Sequence, residues 1–167
     1  SHILFHDVSF TYEGAVTPLL RGVNVHFPTG WSGIVGANGA GKTTLMRLAT
    51  GSLRPTAGRN EFPEGALYCA QRTDDAPDDL ERLLADMDGE AWEIRGRLGI
   101  DEAWPGRWDS LSHGERKRAQ IGVALWRRPP ALAIDEPTNH LDRDAKSMLV
   151  EALRRYAGVG LIVSHDR

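Results

Sequence analysis

One stretch limits what this chain can fold into more than any other. Residues 36–43 read Gly36-Ala37-Asn38-Gly39-Ala40-Gly41-Lys42-Thr43, and Thr44 follows. This is glycine, four residues, then glycine-lysine-threonine, the spacing of a phosphate-cradling loop. Glycines let the backbone turn tightly and bring its N–H groups close to an anion. The apolar Gly33-Ile34-Val35 before it predicts the end of a buried strand, and residues 42–49 after it predict a helix. The helix start aims free N–H groups and the positive end of its dipole at the same anion. Lys42 adds a charge for the β- and γ-phosphates, and the Thr43 hydroxyl is a candidate Mg²⁺ ligand. A strand, a loop of this wording and a helix together predict an α/β fold with a nucleotide at the loop.

The rest of the chain predicts strands alternating with helices. Residues 3–12 and 23–27 are β-rich, and turns follow at Glu13-Gly14 and at Pro28-Thr29-Gly30. Residues 31–35 feed the loop, and Gly51 is placed to end the first helix in the left-handed conformation. Residues 53–58 read as loop and 66–70 as a short buried strand running into Gln71. Two amphipathic stretches, 79–87 and 90–98, follow. From Gln71 to the start of the first stretch run Asp74, Asp75, Asp78 and Asp79, read as a solvated loop capping the next helix rather than a metal site. Residues 101–108 read as loop, with Trp104 and Trp108 expected to pack rather than to stack on a base. Ser112 and Glu115 form a capping-box pattern opening a helix through Trp126, which Pro129-Pro130 ends. Residues 131–134 are a short apolar strand, 143–156 a helix and 159–163 a last apolar strand. Such alternation implies a mostly parallel sheet whose ligands sit at the carboxyl ends of its strands.

Those ends carry the candidate chemistry. Asp135 follows an uncharged buried strand, and an ionised carboxylate there needs a partner. Mg²⁺ held with nucleotide phosphates is a suitable one. Glu136 is placed to orient and deprotonate a water aimed at the γ-phosphate. Gln71 ends a strand within reach of the same metal or water, and His165 ends the last strand as a candidate γ-phosphate contact. The net charge of −3 advertises no broad basic field for nucleic acid. The single cysteine, Cys69, lies in an apolar run and reads as a buried reduced thiol. With no leader pattern and no apolar run of membrane-spanning length, the expected setting is cytoplasmic.

Taken together, these residues resemble an ATP-binding-cassette (ABC) ATPase domain. Residues 36–43 match Walker A and Gln71 the Q-loop. Leu111-Ser112-His113-Gly114-Glu115 matches the signature, residues 131–136 match Walker B with its glutamate, residues 139–142 the D-loop, and His165 the switch histidine. The resemblance implies a P-loop NTPase fold of the ABC type: a mostly parallel sheet, an N-terminal antiparallel β subdomain and a helical subdomain over about residues 72–128. It implies ATP and Mg²⁺ as ligands. The loop residues Gly36, Ala37, Asn38, Gly39, Ala40, Gly41, Lys42, Thr43 and Thr44 would bind nucleotide, as would Tyr12 (an aromatic for the adenine) and Ser112 and Gly114 of the signature. Thr43, Gln71 and Asp135 would hold the metal, and Glu136, His165, Lys42 and Gln71 would carry catalysis. Each site would be completed by the signature of a second cassette.

The wording Asp135-Glu136-Pro137-Thr138-Asn139-His140-Leu141-Asp142, with Ser164-His165-Asp166-Arg167, is most similar to the ABC-F group. This implies two cassettes on one chain and a ribosomal role. The alternative is the ATP-binding subunit of a transporter with a membrane partner. Two features depart from the family pattern. His113 stands where the family has Gly, which predicts a weaker site on the opposite cassette. The chain opens on Ser1 and stops just past the switch histidine, so a single domain over 1–167 truncated at its C-terminus is expected.

Overall fold

The computed structural model describes residues 1–37 and 41–164. Two sheets and five α-helices make up the described chain. β1 (Ile3–Phe10) pairs antiparallel with β2 (Leu20–Phe27) on one side. On its other side it pairs antiparallel with β4 (Ala57–Glu61). The second sheet is parallel, ordered β3 (Gly30–Ile34), β7 (Val159–Val163), β6 (Ala131–Asp135), β5 (Leu67–Cys69). The helices are α1 (Lys42–Ala49), α2 (Leu80–Ala85), α3 (Gly89–Leu98), α4 (His113–Trp126) and α5 (Arg143–Arg154). A 3₁₀ helix over Trp104–Ser110 precedes α4. This is the antiparallel-plus-parallel P-loop architecture expected of an ABC-type domain.

Strand parity decides which side of the parallel sheet each residue serves. All five residues of β6 are buried, as befits a strand covered on both faces. Its small residues, Ala131 and Ala133, join Val159, Leu161 and Val163 of β7 against Met46, Leu48 and Ala49 of α1. The large residues, Leu132 and Ile134, join the opposite cluster with Ile121 of α4 and Leu149 of α5. Asp135 is two residues beyond Ala133, so its carboxylate falls on the α1 side. Small alanines there let α1 pack closely, which sets the loop before α1 against the end of β6.

Several expectations are modified. Residues 53–58 do not remain loop throughout, because β4 begins at Ala57. Its polar sequence Ala-Gly-Arg-Asn-Glu carries no strand pattern; it is recruited by the free edge of β1. Gly58 (φ +77°) opposes Asp7 (φ +51°) where the ladder slips register, and a Cβ at 58 would run into the Asp7 carbonyl. Residues 101–108 are not plain loop, since the 3₁₀ helix begins at Trp104. α5 ends at Arg154, before the expected 156. α1 ends as the glycine foretold, with Gly51 at φ +82° just past Thr50. Trp104 and Trp108 are buried, and the Trp108 indole N–H donates to the carbonyls of Thr73 and Asp74. Cys69 is buried and free, its thiol pushed up to about 11 by burial. Among the described residues no helix is long and apolar enough to cross a membrane.

Candidate functional site

Parallel registry aligns the ends of the strands. Ile34 of β3 pairs with Val163 of β7, and Val163 pairs with Asp135 of β6. Beyond this row lies a cavity of about 500 Å³ lined by Tyr12, Leu19, Gly41, Lys42, Thr43, Thr44, Gln71, Asp135, Glu136 and Val163. The sequence-derived site residues Tyr12, Gly41, Lys42, Thr43, Thr44, Gln71, Asp135 and Glu136 therefore meet in one place. Gly36 and Ala37 lie on the exposed loop entering it. Asn38, Gly39, Ala40 and His165 lie outside the described residues.

Asp135 is the centre of this arrangement. It is only 3% exposed. Its Oδ2 accepts hydrogen bonds from Thr43 Oγ1 at 2.7 Å and Tyr68 OH at 2.9 Å. Tyr68 is a functional candidate that the sequence reading missed. Burial, then the Asp135 charge, pushes its phenol well above the ordinary range, so it remains a donor. A signal existed: Tyr68 pairs with Ala133, which shares a sheet face with Asp135. Reading it required the β5–β6 register.

Lys42 Nζ donates to the Gly36 carbonyl at 2.8 Å, which holds the ammonium beside the cavity. Gly41, the residue just before α1, has φ +90°, and a Cβ there would crowd Leu20. Glu136 has φ +49°, an uncommon angle for a side-chain-bearing residue, fixed by its N–H bonding the Val163 carbonyl at 2.8 Å. Gln71 Nε2 reaches Glu136 Oε2 at 3.4 Å. Tyr12 OH shares a hydrogen bond with Thr44 Oγ1 at 2.8 Å, and its ring meets Phe10 edge-on. Tyr12 is 43% exposed, leaving ring surface open beside the cavity. The hydroxyl, carboxylate and amide oxygens of Thr43, Asp135 and Gln71 are the hard donors that Mg²⁺ takes.

Ser112 and Gly114 are not brought into this cavity. Ser112 caps α4: its hydroxyl accepts from Glu115 N–H at 3.1 Å, and Glu115 Oε1 accepts from Ser112 N–H at 2.9 Å. That backbone hydrogen bond holds the Glu115 carboxyl below its usual range. His113 faces a separate cavity with His140, their ring centres 6.0 Å apart. Burial, then Lys117, His140 and Arg116, lowers the pKa of His113 and favours the neutral ring. Gln71 lines both cavities. Asp142 caps α5 through Ala145 N–H at 2.8 Å. Among the described residues the acidic run 74–79 forms no metal-binding cluster; Asp79 instead pairs with Arg127 at 2.7 Å.

This fold and this set of strand-end residues define a P-loop nucleotide-binding cassette. The family described as ABC transporter matches residues 20–139, and the chain belongs to it. The chain is 37% identical over 152 residues to "Probable ATP-binding protein YheS" of Escherichia coli (strain K12), covering 81% of this chain and 23% of that protein. It is 31% identical over 180 residues to "ABC transporter F family member 4" of Dictyostelium discoideum, covering 99% and 15%. The chain thus spans about a quarter or less of these relatives, and it is most like the ABC-F group. The solved structure described as "Dimeric Structure of MJ0796, a Bacterial ABC Transporter Cassette" superposes with a TM-score of 0.80 at 22% identity, over 98% of this chain and 88% of that one. At that identity the likeness is one of fold. Members of the family bind and hydrolyse ATP.

Proposed function

We propose that this chain is one cassette of an ABC-F-type ATPase that closes on ATP with a second cassette and acts in the cytoplasm on the ribosome. The observation that carries the chemistry is the convergence of Thr43, Asp135, Glu136 and Gln71 at the mouth of a P-loop cavity. Lys42 lends a point charge to the β- and γ-phosphates, and Thr43, Gln71 and Asp135 hold the cation. Mg²⁺, when bound with the nucleotide, supplies charge neutralisation on the phosphates. Glu136, oriented by Gln71, positions the attacking water and takes its proton; His165 contacts the γ-phosphate. Tyr12 packs on the adenine. The helical segment over about 72–128 presents Ser112 and Gly114 to the nucleotide of the opposite cassette, in keeping with their separation from the cavity on this one. Catalysis in such a site is positioning and electrostatics.

The ribosomal role rests on the ABC-F wording and on the F-family relative. Its test uses the intact protein carrying Glu136→Gln, with the matching change in any second cassette. Co-sedimentation with ribosomes when ATP is added, and not without it, is expected. ATP binding without pelleting would instead favour a transporter subunit bound to a membrane partner, the reading to which the matching family's description lends weight.

A further inference from the structure

Lys117 lies within the run Glu115-Arg116-Lys117-Arg118, which reads as a solvated helix face. Yet Lys117 is 0% exposed. It is one of three lysines in a chain whose other cations are arginines. Its Nζ donates to the carbonyls of Ala70 at 2.9 Å and Gln71 at 3.2 Å, and to Gln120 Oε1 at 2.8 Å. Gln120, one turn on, donates through Nε2 to the Ala70 carbonyl at 3.0 Å. The last ladder pair of β5 is Cys69 with Ile134, so residues 70 and 71 lie past the end of the strand. Carbonyls emerging there need donors from elsewhere. A buried ammonium is a costly donor, because its charge gives up water.

We propose that Lys117 is a positioning residue that ties the signature helix to the glutamine beside the catalytic glutamate. It holds the backbone of residue 71, while the Gln71 side chain reaches Glu136. α4 begins at the signature, two turns or less from Lys117. A shift of α4 when the opposite nucleotide engages Ser112 therefore moves the Gln71 backbone with it. The clamp makes occupancy of one site felt at the water-positioning groups of the other. This inference rests on the roles proposed above for Gln71 and Glu136.

The experiment compares wild type, Lys117→Met and Lys117→Gln in the intact protein. Met keeps the length of the stem and removes the donors; Gln restores an N–H donor. Amide hydrogen exchange over residues 70–74 reads the clamp without any need for turnover. Exchange is expected to speed about tenfold in Lys117→Met and to recover in part in Lys117→Gln. Steady-state kinetics read the coupling: kcat for ATP is expected to fall about tenfold in Lys117→Met, with KM within about twofold, and to be partly rescued in Lys117→Gln. Unchanged exchange, or a loss carried by KM, overturns the proposal. Should Lys117→Met fail to fold, Lys117→Gln alone decides, since its exchange must still exceed that of wild type. Absence of any turnover sensitive to Glu136→Gln in wild type would sink the catalytic reading instead, and leave the clamp to be judged by exchange.

Discussion

Replacing Tyr68 with Phe removes one hydrogen-bond donor to a buried carboxylate and leaves the ring in place. Among the described residues, Asp135 Oδ2 then keeps only the Thr43 hydroxyl, at 2.7 Å. Tyr68 is partly buried and its ring is retained, so little packing is lost. The missing term is a hydrogen bond to a charged, 3% exposed acceptor. Such bonds contribute roughly 1.5–3 kcal/mol, more than a neutral pair. Urea denaturation of the nucleotide-free intact protein is expected to show destabilisation of about that size with an unchanged m-value. Thr43→Val should cost about 1 kcal/mol on its own, because Thr43 is exposed. Both donors converge on one oxygen, so the double variant should depart from additivity by roughly 0.5–1 kcal/mol or more. A loss under about 0.5 kcal/mol for Tyr68→Phe, or strict additivity, would refute the claim that Tyr68 and Thr43 jointly hold Asp135.

Further consequences follow from other parts of the molecule. Burial lowers the Lys117 ammonium from 10.5 to about 8, so the unfolded chain holds that proton more tightly than the folded one. Stability should therefore rise from pH 8 towards 10 relative to Lys117→Met, by up to about 3 kcal/mol, and the two curves should run parallel below pH 7. Parallel curves throughout would contradict the buried charge. Gly160→Ala places a methyl inside the indole of Trp31, which is fixed by its N–H to the Leu153 carbonyl at 3.0 Å. Thermal denaturation should report a loss of about 1–3 kcal/mol. His113→Gly in the intact protein should raise ATP turnover if, as proposed, the signature completes the site of the opposite cassette; an unchanged rate would remove the idea that His113 weakens that site.

What could be read without coordinates was whatever is local in the chain. The loop over 36–43, the Ser112–Glu115 capping box and the acid at the end of an uncharged strand each announce themselves within a few residues, and the box and the strand end stand where expected. β4 was hidden because its residues have no strand character, and only the edge of β1 makes them a strand. Tyr68 was hidden because its partner lies 67 residues away, across a register that no local pattern fixes. The burial of Lys117 was hidden too. Nothing in a run of charged neighbours marks one lysine as buried, and only the packing of α4 against the end of β5 puts it inside. The chemistry-bearing types were thus legible, while the groups that orient them were not, since orientation is a long-range property.

The most direct test of the account compares ATP turnover and ATP affinity in wild type and Glu136→Gln, using the intact protein with any second cassette carrying the same change. Turnover should drop about a hundredfold or more while ATP affinity stays within a few-fold, because the role proposed for Glu136 is on the water and not on the bound nucleotide. Turnover that survives the substitution, or affinity lost in step with it, would contradict the assignment of Glu136 and with it the catalytic site built around Asp135.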